Sequence, residues 1–165
     1  MFSFGKKKVC DVCGSSARQT KLRDGSFCDA CFTECRYFLV PEEVINYKDL
    51  SVSTLRDAYA NYRRSNELFK IFNVTRSVEN YFFVDDTNNL WEVIDNTYNE
   101  NKRIVFSFDD VESFELLQDE ETILTGGLKS AIVGSLIADM KVKQLMKKLQ
   151  IRVNLKNMRP YYINI

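Results

Sequence analysis

The chain has 165 residues, 45% hydrophobic and 13% aromatic, a globular composition that excludes a largely disordered chain. Its 23 Lys and Arg balance 23 Asp and Glu, so no net field recommends it as a dedicated nucleic-acid binder. It has no His, which excludes imidazole general bases, Ser–His and Cys–His dyads, and every metal site that needs an imidazole.

Met1-Phe2-Ser3-Phe4-Gly5 runs into Lys6-Lys7-Lys8 without the apolar stretch that export requires. The expectation is a cytoplasmic protein whose thiols stay reduced. All five Cys lie between positions 10 and 35, and the 130 residues that follow have none. The spacing is Cys10-x2-Cys13, then 14 residues, then Cys28-x2-Cys31. Two thiols separated by two residues can face one ion from a single turn, and four thiolates suit tetrahedral Zn²⁺. The pattern therefore predicts one structural zinc ion held by Cys10, Cys13, Cys28 and Cys31. Gly14 fits the tight turn of the first pair. Arg23-Asp24-Gly25 supplies a hairpin turn that returns the second pair to the first. Two disulfides, a redox-active pair or an iron–sulfur cluster are weaker readings, and two matched pairs argue against a thioredoxin-like motif in particular. Cys35 is left over, and reads as a free buried thiol rather than a substitute ligand.

Residues 1–36 carry seven Lys and Arg against four Asp and Glu. Four thiolates on one Zn²⁺ remove two further charges and leave about +1. The basic arm Lys6–Lys8 reads first as solvated and only second as a phosphate contact.

Pro41 marks a break after the Cys segment. Ser51 or Ser53 can cap a helix on which Leu55, Tyr59, Tyr62, Phe69 and Phe72 form an apolar face and Asn73 ends the pattern. Arg56, Arg63, Arg64, Glu67 and Lys70 fall mostly elsewhere. A hairpin follows, with residues 79–84 and 90–94 joined by the turn-rich Asp85-Asp86-Thr87-Asn88-Asn89. Alternation predicts strands around Ile104–Phe108 and Ser113–Leu116, with Asp109-Asp110 between them, and Gly126-Gly127 breaks the chain. In residues 128–149, Leu128, Ile132, Leu136 and Met140 have helical spacing, and Lys141, Lys143, Lys147 and Lys148 make the end basic and amphipathic. Ile151–Leu155 is a final alternating strand, with Tyr161, Ile163 and Ile165 pairing back to it after a turn. The fold class is α+β: a zinc ribbon over 1–36, a connecting helical segment over 37–73, and an antiparallel strand-rich domain over 74–165.

Lys8-Val9-Cys10-Asp11-Val12-Cys13-Gly14, Lys21-Leu22-Arg23-Asp24-Gly25 and Cys28-Asp29-Ala30-Cys31 together resemble an uncharacterised zinc-ribbon-like domain of small proteins from Gram-positive bacteria and their phages. Asn73–Ser77, Phe106–Leu116 and Leu155–Met158 resemble the strand-rich domain that follows the ribbon there, which is similar in pattern to bacterial pleckstrin-homology-like (PH-like) domains. The resemblance implies a fold and no activity.

Asp85-Asp86, Asp109-Asp110 and Asp119-Glu120-Glu121 suggest a divalent-metal site only superficially, since Asp is common in turns and no nucleophile or base accompanies them. The sequence thus points to a non-enzymatic, zinc-stabilised protein–protein interaction module, acting on a host complex if the gene is phage-borne. The second reading is nucleic-acid binding through the basic arm and ribbon. The third and weakest is peripheral membrane association through residues 128–149, whose apolar side reads first as cover for the strands.

Overall fold

The computed structural model describes residues 9–78, 80, 82–118, 121–127, 149–156, 158 and 160–164. Lys6–Lys8 and residues 128–148 of the segment with helical spacing lie outside the described residues, and Leu149, its last residue, belongs to a strand. The architecture is mixed α+β, as expected, with three antiparallel sheets. The chain divides into two compact units, Met1–Arg64 and Ser65–Ile165.

The first unit begins with a turn closed by Cys10 N–H donating to the Ser15 carbonyl (2.9 Å) and Gly14 N–H to the Cys10 carbonyl (2.9 Å). Gly14 has φ +76°, a conformation that costs a residue with a Cβ. Strands β1 (Gln19–Lys21) and β2 (Ser26–Cys28) pair antiparallel, with Thr20 opposite Phe27. Leu22 N–H donates to the Gly25 carbonyl (2.8 Å) and closes the expected hairpin turn.

Helix α1 (Asp29–Cys35) starts directly from β2. After a short 3-10 turn, helix α2 (Pro41–Ile45) opens with Pro41 in its first turn, where a missing N–H costs nothing. The Glu43 carboxylate accepts from Val40 N–H at 3.2 Å.

Helix α3 (Val52–Ile71) begins where the capping argument places it. Ser51 Oγ accepts from Thr54 N–H (3.1 Å), satisfying one orphan donor of the first turn. Asp24, from the β1–β2 turn, accepts from Val52 N–H with both carboxylate oxygens (3.0 and 3.2 Å). The buried stripe of α3 differs from the expected one. It passes through Leu55, Ala58 and Ser65, while Phe69 is 42% exposed. Ser65 lies on the stripe with its Oγ accepting from Val105 N–H at 2.9 Å, while the Phe69 ring lies against the Arg103 guanidinium.

In the second unit, β3 (Arg76–Val78), β4 (Phe82–Asp85), β5 (Leu90–Asp95) and β6 (Lys102–Ser107) form one meander. The expected hairpin is β4–β5, with Val84 opposite Trp91. Strands β7 (Val111–Gln118), β8 (Glu121–Gly127), β9 (Leu149–Leu155) and β10 (Tyr161–Asn164) form a second sheet in the order β10-β9-β7-β8. The terminal pair matches expectation, with Tyr161 opposite Val153 and Ile163 opposite Ile151. Trp91 centres the core of this unit, stacked on Phe106 (centroids 4.5 Å apart) and Phe82 (5.8 Å). Phe106 in turn meets Tyr161 of β10 (5.1 Å), so one aromatic chain ties the two sheets together.

Candidate metal centre

Three local devices bring the four cysteines together. The Gly14 turn presents Cys10 and Cys13, β2 ends on Cys28, and the first turn of α1 carries Cys31. Cys28 also occupies the N-cap position of α1. Its extended backbone ends the strand, and its Sγ accepts from Cys31 N–H at 3.5 Å, a role Ser or Asp more often plays.

The four Sγ atoms all lie within 4.8 Å of one another. Cys10 Sγ is 3.9 Å from Cys31 Sγ, and Cys13 Sγ is 3.7 Å from Cys28 Sγ. A disulfide would bring two sulfurs to about 2.05 Å, and all five cysteines are free thiols. A tetrahedron with metal–sulfur bonds of about 2.3 Å has edges of about 3.8 Å. The separations of 3.9 and 3.7 Å fit that figure, so the cluster can hold a metal ion. Cys10 and Cys28 are 2% exposed and Cys31 is 4% exposed, whereas Cys13 is partly open to solvent. Cys35 is fully buried outside the four-thiol cluster, its thiol donating to the Leu55 carbonyl at 3.7 Å.

Hydrogen bonds to sulfur complete the site. Cys28 N–H donates to Cys10 Sγ at 3.3 Å. Ser15 Oγ lies 3.0 Å from Cys13 Sγ and 3.7 Å from Cys28 Sγ. Such donors stabilise a thiolate over a thiol. Burial acts to raise the Cys13 thiol, but hydrogen bonds from Ser15 and the neighbouring thiols outweigh it and bring the group down to about 6. At Cys31 burial leads, reinforced by Cys13 and Cys28, and the thiol is pushed well above its ordinary value. Burial, then the charge of Glu34, pushes Cys35 up to about 12. Four thiols at this spacing cannot all ionise without a cation to compensate them, which is the electrostatic demand a divalent metal meets.

The supporting residues are hard to read in sequence. Asp11, between the first two cysteines, accepts from Ser26 N–H (2.8 Å) and Ser26 Oγ (3.0 Å). Its carbonyl accepts from Arg56 Nε at 2.7 Å. Ser15 stands two residues after Cys13, and that proximity is its only sequence signal.

The described acidic pairs serve the backbone and neighbouring side chains. Asp85, fully buried, accepts from the N–H groups of Asn73, Thr87 and Asn88 and from Asn88 Nδ2, at 2.8–3.0 Å. Asp86 accepts from Arg76 and Thr75. Asp109 accepts from Asn89 Nδ2 at 2.9 Å. Asp119 and Glu120 lie outside the described residues. Among the described residues, the cysteine cluster is the group of potential ligands that can hold a metal, and no helix is long and apolar enough to cross a membrane. The chain matches no family model, no curated protein and no solved structure.

Proposed function

We propose that the chain is a non-enzymatic protein–protein interaction module whose first unit is folded around one structural zinc ion. One observation carries this reading: four thiols at tetrahedral spacing, three of them buried and several receiving N–H or O–H donors. A metal bound by all four has no coordination position left for water or substrate, which is the mark of a structural rather than catalytic site. The all-sulfur donor set favours zinc over harder divalent ions. The absence of His from the sequence and the structural engagement of Asp85, Asp86 and Asp109 support a role without catalysis.

The PH-like reading of the second unit belongs to the same proposal. Its support is the pair of four-stranded antiparallel sheets joined through Phe106 and Tyr161. The partner is a protein in the cytoplasm, a host complex if the gene is phage-borne.

Two measurements test the proposal. Elemental analysis of protein purified under reducing conditions should find stoichiometric zinc, and iron or no metal would defeat the zinc reading. Tagged full-length protein, recovered from its own host, should hold a stoichiometric protein partner through nuclease treatment and size exclusion. A complex that nuclease dissolves would replace the proposal with nucleic-acid binding. An activity abolished by a single carboxylate substitution would overturn the non-enzymatic assignment.

A further inference from the structure

The four thiols differ in access, and that asymmetry has a chemical consequence. Cys10, Cys28 and Cys31 are buried, while Cys13 is partly open. It stands beside Gly14 and Ser15, both exposed. Cys10 and Cys28 receive backbone N–H groups from β2 and α1. The Ser15 hydroxyl, on the exposed turn, lies 3.0 Å from Cys13 Sγ. Modification of a cysteine follows thiolate character and exposure together, and metal ligation supplies the first at all four positions. Exposure then singles out Cys13. Across the site, Cys28 Sγ is 3.7 Å away, within reach for an attack that forms a disulfide.

We propose that Cys13 is a peroxide-modification site through which the metal centre opens, with Cys28 as the resolving thiol and Ser15 as its guard. The inference rests on the zinc reading above. A Cys13 sulfur lone pair attacks one oxygen of a hydroperoxide. The S–O bond forms, the O–O bond breaks, and the departing hydroxide or alkoxide takes a proton. The Cys28 thiolate then attacks the Cys13 sulfur of the sulfenic acid. The S–S bond forms, the S–O bond breaks, and hydroxide leaves and is protonated to water. The peroxide gains two electrons and the two thiolates lose two. Two of the four ligands are gone, and Cys10 and Cys31 alone release Zn²⁺. The first unit thus carries a redox-controlled staple, and its interaction surface persists only in reduced protein.

The test uses full-length protein whose zinc content has been measured before any oxidant is added. Hydrogen peroxide is supplied, zinc release is followed with a chromogenic chelator, and the disulfide is mapped by peptide mass spectrometry. The expected result is one zinc released per disulfide, with Cys13–Cys28 as the first linkage. Because the metal already holds Cys13 as a thiolate, the Ser15 hydroxyl engages a sulfur lone pair and blunts its attack, so in Ser15→Ala release should be about fivefold faster, the size of one lost hydrogen bond. A first disulfide within either Cys-x2-Cys pair, or between Cys10 and Cys31, overturns the proposal, as does zinc retained after Cys13 is oxidised. An unchanged rate in Ser15→Ala removes the guarding role. Protein without zinc before peroxide overturns the zinc reading itself, and this inference with it, so the two failures are separable.

Discussion

In the unit Met1–Arg64, four thiols gather within 4.8 Å of one another, and Phe27, Leu39, Leu50 and Leu55 pack in the same core. In Ser65–Ile165 the centre is Trp91, surrounded by Phe82, Phe106 and Phe108. A small unit whose strands are three residues long is marginal on apolar burial alone. Among the described residues, the larger one sets eight strands around an aromatic core. The difference teaches that two neighbouring stretches of one chain can be built around unlike centres, a thiol cluster able to hold a metal in one and apolar burial in the other. Each should fail under a different insult.

The largest expected effect is metal removal. Structural Zn²⁺ in small modules supplies about 10 kcal/mol or more of folding free energy, so a strong chelator, or Cys28→Ser, should unfold the first unit. Cys28→Ser removes a ligand, though serine can still cap α1. Trp91 is the chain's single tryptophan and lies in the second unit. Its fluorescence should therefore stay native while amide protection is lost across residues 9–35. Loss of both signals together would show that the second unit depends on the metal as well.

The converse experiment is Trp91→Ala. Truncating a fully buried aromatic costs about 3–5 kcal/mol, and this one contacts three other rings. Chemical denaturation should show that loss in the second unit, while cobalt-substituted protein keeps its thiolate-to-metal absorption. A change in the cobalt spectrum would contradict the division of labour.

A smaller effect sharpens the first unit alone. Gly25 does not have the positive φ of Gly14. A Cβ there would fall 2.6 Å from the Val52 side chain and 2.9 Å from Asp11 Oδ2. The residue is glycine because the start of α3 and the Asp11 carboxylate crowd the hairpin turn. Gly25→Ala should cost about 1–3 kcal/mol by overpacking, read as a lower thermal midpoint of metal-loaded protein with stoichiometry unchanged.

This position also marks how far the sequence could be read. The cysteine spacing, the Gly14 turn, the Ser51 cap and the β4–β5 and β9–β10 pairings were legible because each depends on residues close in the chain. Gly25 was legible as a turn residue, but its reason lies in Val52, 27 positions on, and no local pattern reports that. Strand β3 is three residues long and mostly exposed, so it has no alternation to detect. Strand β5 hides its polar residue for another reason. Alternation would turn Glu92 to solvent, yet Trp91, Glu92 and Val93 are all buried, because both faces of the strand are covered. Glu92 is held there by Arg103, whose Nη2 donates at 2.7 Å and whose guanidinium stacks on Phe69 at 4.8 Å. Phe69, expected on the apolar face, is instead partly exposed and covered on one side by that guanidinium.

The smallest effect concerns acid. Hydrogen bonding from the Asn88 side chain, and then from the backbone of Asn73, Asn88 and Thr87, outweighs burial and holds the Asp85 carboxyl below its ordinary value of 3.8. A group depressed in the folded state contributes stability that is present above its unfolded value and lost as pH falls through the folded one. Asp85 therefore stabilises the second unit at neutral pH and ceases to do so in acid below about pH 4. Asp86, held down first by Arg76 and then by Thr75, titrates in the same window, but it is exposed and its ion pair is screened. Asp85→Asn keeps the shape and one acceptor while removing the charge. Denaturation followed by Trp91 fluorescence should find the variant less stable at pH 7, with the gap to the parent closing as pH drops through the carboxylate range. The first unit should also fail in acid, but independently of Asp85, since protonated thiols release metal whether or not that residue is charged. If Asp85→Asn shifted acid-induced metal loss as well, the contrast between a coordinate core and an apolar one would no longer describe two separable units.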